Sequence, residues 1–558
     1  MLLKKSAKLI SLLVAIIMLM GLVLMGCRGQ QANSQPDVDT PAVENEDSAD
    51  EPAVEENEEE VADENEEDDV ALEPARELEG TITISIPMAS TLPIWEELAK
   101  VYKEKNPKVE VVLDDKESGS AYTDWLGNQL AGGETAADIV LINTVAQYYS
   151  EGKFVDYAEY LTQENPYMGK IWMDGLDPAS YRSNGPNQEI FALNIDSVQV
   201  IWFYNKDIFN EVGVEPPKDW DELIEICAKF KEAGYTPLAL AGDAQSFWEM
   251  TTGWLFRMYH DQYWRDMEPE VALREGDYNY DPERDGTWEF DITDIANDTP
   301  EKIKFNGLRI AKMIQDGEVG PDSDRYREMY ENFAKLIPEY VPKGFFGMSV
   351  DEANQLFIQG EAAMKVDIAA FAANFDKTME DAPTKFELGY FWSPPMKGEY
   401  VAVDYARSLG GPNGFIGVVN KSKEQNDLSM DFMMFYASPE GQSIRYRMME
   451  ELEQAPAGPS LVHDVTMPEK WESVFGGMGY MGECDNNPFG CFARGFNDEQ
   501  QSVREWVDNA QQYFNGEIDV EEFSKRMQKV MQDAIPRWLE INNYRPDALD
   551  DPSKDPSA

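Results

Sequence analysis

From Thr81 to Ile86 the chain reads Thr-Ile-Thr-Ile-Ser-Ile, and this period of two predicts a strand with one buried face. A helical stretch follows from about Leu92 to Lys105, with Trp95, Leu98, Val101 and Tyr102 recurring at helical spacing. Asn106-Pro107 stops it, and Val109–Leu113 reads as a second strand. Tyr122–Leu130 repeats the helical pattern and ends at Gly132-Gly133, before a third strand at Asp138–Ile142. Strand, helix, strand, helix and strand in this order predict an α/β fold with a mainly parallel sheet.

The alternation of patterns continues. Val198–Tyr204 is an apolar and aromatic strand candidate. Pro216-Pro217-Lys218-Asp219-Trp220-Asp221-Glu222 marks a helix start, with Asp219 as the cap and Glu222 closing a capping box. Asp243 to Tyr263 is unusually aromatic and reads as helical, whereas Asp266–Asp298 is acidic and turn-rich, as in a surface insertion. Helical patterns resume at Pro300–Asp316 and Asp351–Gln359, followed by a short strand near Ala363–Val366. A Gly-rich passage from Gly410 to Gly414 precedes strand Phe415–Val419, and the last third is mostly helical, with a polar tail at 546–558. No internal repeat is found.

Composition divides the chain. Residues 29–79 hold 21 Asp or Glu, one Arg and no aromatic residue, too little apolar surface to offset the entropy of ordering. Residues 27–79 therefore read as an acidic disordered tether, with a root-mean-square span of about 40 Å. The remaining stretch of about 480 residues exceeds one hydrophobic core, so two lobes are expected. The net charge of −59 disfavours nucleic acid as a partner and is compatible with a surface adapted to high salt. Before the tether, Lys4, Lys5 and Lys8 precede an almost wholly apolar run from Leu9 to Met25 and a small Gly26. That order is a secretory signal peptide, here 1–26. Leu24-Met25-Gly26-Cys27 resembles the bacterial lipobox, which implies a lipid on Cys27 and an anchor at the extracellular face of the cell membrane. Cys484 and Cys491 lie in a Gly/Asn/Pro-rich loop of an exported chain, where a disulfide is permitted.

Four local patterns coincide with one family. They are Tyr102–Val112, where a helix ending in Asn-Pro enters a strand; Ala137-Asp138-Ile139-Val140; Phe203-Tyr-Asn-Lys-Asp-Ile-Phe209 with Gly213 and Pro216–Leu223; and Phe357-Ile-Gln-Gly-Glu-Ala-Ala-Met364. In this order they resemble the extracellular solute-binding proteins of ABC importers, of the carbohydrate-binding type. The resemblance implies a periplasmic-binding-protein-like α/β fold with a hinge between two lobes over 80–545. Lobe one is expected at about 80–195 and 355–405, lobe two at about 196–350 and 412–545. It further implies a monomer that captures a carbohydrate, an oligosaccharide by its size and aromatic content, and delivers it to membrane permease subunits. No cofactor is expected. Two departures stand out: Met364 leads into Lys365–Ala369 without the family's Gly and aromatic residue, and Asn194 replaces a common proline.

Sugar recognition needs flat aromatic faces and planar polar groups. Asp243-Ala-Gln245-Ser-Phe247-Trp248 offers both, with Asp243, Gln245 and Trp248 as contacts. Strand ends supply Ser90 with Thr91, Asn143 with Thr144, the Gly119-Ser120 turn, and Asp367. Tyr405, Gly410 and Gly411 lie where the chain should recross between lobes. Capping, turn and core chemistry is the competing reading of each. Asp277-x-Asn279-x-Asp281 has the first half of a calcium loop, but Pro282 replaces the Gly and Trp288 the Glu, so it reads as a solvated acidic loop with no metal. Only two histidines occur and no Gly-x-Ser-x-Gly, so the chain is not expected to be an enzyme. The alternatives are a secreted glycoside hydrolase and a surface adhesion lipoprotein.

Overall fold

The computed structural model describes residues 78–557, apart from 134, 143–144, 182–188, 249, 283, 301, 381, 383, 476–477, 479–480 and 494–499. The signal peptide, Cys27, the tether to residue 77 and Asn143 lie outside the described residues. Among the described residues no helix is long and apolar enough to cross a membrane.

The first lobe follows its sequence pattern closely. Strand β1 (Gly80–Ile84), helix α1 (Leu92–Lys105), strand β2 (Val109–Leu113), helix α2 (Ser120–Ala131) and strand β3 (Ile139–Leu141) succeed one another. β1 pairs in parallel with β2, Ile82 opposite Val111, and with β3, Ile84 opposite Ile139. α1 buries Ile94, Trp95, Leu98 and Tyr102 against Ile82 and Ile84. On the other face, Leu126 and Leu130 of α2 pack against Val140 and Ile142.

The second lobe holds a sheet of β4 (Val200–Asn205), β5 (Thr236–Ala239), β6 (Ala362–Ile368) and β7 (Leu388–Phe391) in the order β7–β4–β6–β5. β5 runs parallel to β6, while β4 is antiparallel to both β6 and β7. β4 alternates between two buried faces, as a sheet covered on both sides requires. Val200 and Trp202 join the largest core with helices such as Trp220–Ala233, Thr251–Trp264 and Val520–Ile541. Ile201 and Phe203 join a second core with Phe357, Phe375 and Trp471. Helix Trp220–Ala233 starts as its cap predicts, Asp219 accepting from Glu222 N at 3.0 Å. The returning Glu222 carboxylate takes the Lys218 N–H instead of the cap residue's own.

Five expectations need correction. Residues 355–405 are expected in lobe one, but β6 and β7 pair with β4 in lobe two. Conversely, strand β8 (Ile416–Val418) pairs antiparallel with β3, and the helices Lys423–Tyr436 and Pro439–Glu451 pack on lobe one. The chain thus passes between the lobes three times, because β8 supplies the buried edge that β3 lacks. The acidic stretch 266–298 is not a surface insertion throughout: Glu268, Arg284, Asp285 and Asp298 are buried in ionic contacts. Nor is Asp277 solvated, since Arg309 Nη2 holds both its oxygens at 2.8 Å. Cys484 and Cys491 are thiols and form no disulfide; Cys484 is buried in the large core beside helix Thr251–Trp264. The tail folds back, burying Ala548 and Leu549, with Arg545 N bonded to Pro556 O at 2.9 Å.

Candidate functional site

Chain direction alone locates the site. β1 and β3 are parallel and run toward residues 85–91 and 142–145. β8 enters beside the end of β3, directly after Pro412–Asn413, and that pair lies antiparallel to Asp196–Ser197. In the second lobe, β5 and β6 run toward residues 240–248 and 369–371. β4 begins beside their ends, Val200 opposite Ile368, directly after the same Asp196–Ser197. The carboxyl ends of both lobes' parallel strands therefore point at one crossing ribbon, where α/β proteins place their ligands.

The ribbon has three passes. Val198 N bonds to Gly411 O at 3.1 Å, and Ser197 N bonds to Pro459 O at 2.9 Å. Gln199, fully buried, ties them together: its amide donates to Ser197 Oγ at 2.5 Å and accepts from Met481 N at 3.3 Å. Its backbone carbonyl accepts from Ala369 N at 2.8 Å, at the end of β6. Each side of the ribbon is anchored by a buried ion pair. Toward lobe one, Arg445 holds Asp196 through two bonds of 2.9 and 2.5 Å. Toward lobe two, Arg407 holds Asp261 at 2.8 and 2.6 Å and Asp298 through two bonds of 2.6 Å. Burial would make such charges costly if any were unpaired, so these anchors are rigid or lost altogether.

Asp261, Glu268 and Asp298 bring carboxylate oxygens within 4.8 Å of one another, close enough to hold a cation. That cation is already present in the chain: Nη1 of Arg265 stands 3.3 Å from Asp298, 3.6 Å from Glu268 and 4.0 Å from Asp261.

The residues expected at the site divide into groups. Ser90 is exposed after β1, and its carbonyl accepts from Gln454. Gly410 and Gly411 lie on the ribbon as expected; Gly410 has φ +117°, and a Cβ there would meet Val198 O at 2.4 Å. Asp243, Gln245 and Trp248 follow β5. Asp243 accepts from Ser246 N at 2.8 Å, a capping bond, while Gln245 is exposed. Phe247 is wholly core; Trp248 is half-buried, and its indole N–H has no partner. Asp367 is not open to a ligand in the manner expected. Lys365 takes one oxygen at 2.6 Å and Ile368 N the other at 2.8 Å, leaving a buried ion pair. Tyr405 donates to Ile292 O at 2.5 Å, in the wall of a cavity of about 490 Å³ bordered by 395–405. Gly119 accepts from Tyr122 N at 3.1 Å, a turn bond.

Two aromatic residues were missed. Phe371 follows β6 and Trp392 follows β7, and both are half-buried, as is Trp248 after β5. The ends of β5, β6 and β7 all lie on the side where β4 begins, and the three aromatic residues follow those ends, Trp248 packed against one core and Phe371 and Trp392 against the other. Lys365 Nζ packs on Phe371 at 3.6 Å from the ring centre. The available signal was simple: each ring comes within a few residues of a strand's carboxyl end.

Comparison with known proteins agrees with this geometry. The profile of the family described as bacterial extracellular solute-binding protein matches residues 88–443, more than half of the chain. A multiple sugar-binding protein of Streptococcus mutans is 24% identical over 165 residues, covering 30% of this chain and 35% of that protein. A probable sugar-binding periplasmic protein of Mesorhizobium japonicum is 25% identical over 240 residues, covering 42% and 44%. The chain thus spans less than half the length of either relative. A family 1 extracellular solute-binding protein from Bifidobacterium longum subsp. infantis superposes with a TM-score of 0.52 at 16% identity, over 81% of this chain and 98% of that one. A probable secreted solute-binding lipoprotein from Streptomyces coelicolor gives 0.54 at 14% identity, with the same coverage. These likenesses show a shared two-lobed α/β fold.

Proposed function

Because the chain belongs to the bacterial extracellular solute-binding proteins, we propose that it is the receptor of an ABC importer, capturing a carbohydrate between its lobes. The observation that carries the sugar reading is the set of half-buried aromatic residues, Trp248, Phe371 and Trp392, that follow the strand ends on the ribbon's side. Rings of this kind cover the apolar faces of pyranosides at low entropy cost. The size of the chain and its many aromatic residues suit an oligosaccharide. The sugar-binding names of the two sequence relatives support the same class. The receptor works as a monomer, with lobe one built from about 78–195 and 412–463 and lobe two from the rest. It acts outside the cell, held by a lipid on Cys27 and reaching the permease through its acidic tether. Binding and hand-over require no covalent step.

The test is a panel of mono- and oligosaccharides read by intrinsic fluorescence and melting temperature, since a ligand that binds only the folded form raises Tm. One class of sugar is expected to shift both. No shift across the panel overturns the reading, and release of reducing ends from an oligosaccharide would replace it with a hydrolase. Cys27→Ser should abolish incorporation of labelled fatty acid.

A further inference from the structure

The cavity of about 490 Å³ beside Tyr405 has the size of a small-ligand site. One wall is Ile292 and Thr293, and the other is the segment 395–405. A single buried side chain fixes that segment. Gln262 Nε2 donates to Met396 O at 3.0 Å and to Val403 O at 2.9 Å, and its Oε1 accepts from Met396 N at 3.0 Å. The Gln262 backbone carbonyl takes Ala402 N at 3.2 Å. Tyr405 joins the two walls, its hydroxyl donating to Ile292 O at 2.5 Å. The walls are thus tied to each other and to helix Thr251–Trp264, so the space is built into the fold.

The lining sets the chemistry of an occupant. Pro395, Val401 and Val403 are aliphatic, and the Tyr405 ring, its hydroxyl already engaged, offers a fixed flat face. Two charged residues border the space. Lys397 is held by Asp219, whereas the Asp404 carboxylate is exposed and makes no hydrogen bond or ion pair among the described residues. A carboxylate only accepts, so its two oxygens match a pair of neighbouring hydroxyls and repel an anion. This combination fits a neutral sugar unit and disfavours a sugar acid or a phosphate. The cavity is also within reach of the site between the lobes. Pro395 comes three residues after Trp392, at most about 11 Å of extended chain, and Gly410 comes five after Tyr405, at most about 18 Å. Resting on the carbohydrate-receptor reading, we propose that this cavity seats an outer unit of a neutral oligosaccharide whose other units lie between the lobes. Asp404 accepts two hydroxyls of that unit, and Tyr405 backs its apolar face.

The dependence of affinity on sugar length decides the matter. The mature chain is titrated calorimetrically with xylo-, manno- and malto-oligosaccharides, from the disaccharide to the hexasaccharide of each. In one series the parent should bind more tightly as the sugar lengthens. Asp404→Ala removes an exposed carboxylate that supports no other group, and Ala402→Trp fills the space. Each variant should bind the longer sugars about tenfold more weakly and the disaccharide as the parent does. Should the tryptophan variant fail to fold, the surface substitution Asp404→Ala still gives the answer. Parent affinity that is flat with length, or an Asp404→Ala variant that follows the parent at every length, overturns the proposal and leaves the receptor reading standing. A parent that binds none of the three series overturns both.

Discussion

Glu268 sits in an environment opposed to its charge. Its side chain is completely buried beside the carboxylates of Asp261 and Asp298. Burial and the neighbouring Asp298 push its carboxyl well above the ordinary value, outweighing Arg265 at 3.6 Å. A raised folded pKa means that its stabilisation is full below the unfolded value near 4.5 and is lost as pH rises through the folded one. Glu268→Gln mimics the protonated form. It should leave Tm unchanged or higher, with a gap over the parent that widens from pH 5 to pH 8. His260 behaves in the opposite sense. Its pKa is depressed to about 3 by burial, so its contribution falls as pH drops below about 6.5, where the unfolded imidazole protonates. Arg407→Ala should be severe, costing about 3–5 kcal/mol in denaturant titration, because Asp261 and Asp298 would stay buried with Arg265 as their one remaining cation among the described residues.

At the level of single elements, local chemistry and close approach dominate. Asp219 caps helix Trp220–Ala233, and Asp219→Ala should cost about 1 kcal/mol in denaturant titration. The ribbon is less forgiving. Gly410→Ala puts a methyl 2.4 Å from Val198 O at a φ that disfavours side chains. A loss of about 1–3 kcal/mol is expected, together with weaker binding of the proposed carbohydrate by isothermal titration, since the same segment links the lobes. The boundaries of these elements were largely legible beforehand. Helix Leu92–Lys105 and strand Val109–Leu113 run as the spacing predicts, because Pro93, Asn106 and the apolar period act over a few residues. Position was not legible: Phe371 and Trp392 carry no pattern of their own, and only strand direction brings them to the proposed site.

For the whole molecule, charge and connectivity set the terms. A net charge of −59 repels itself at low ionic strength, and screening by salt removes most of that cost. Thermal stability should therefore rise between 0.1 M and 2 M sodium chloride; an unchanged Tm would mean that repulsion has no part in stability. Sequence by itself determined the α/β class and the family, since each depends on period or motif within a short stretch. It could not assign Ala362–Ile368 and Ile416–Val418 to their lobes, and it exchanged them. It also left the carboxylates of 266–298 in solvent, where the fold buries them against Arg265, Arg284 and Arg407. Only tertiary structure decided these points. Pairing across more than a hundred residues is chosen by which buried edge or charge remains to be satisfied, and no local period records that choice.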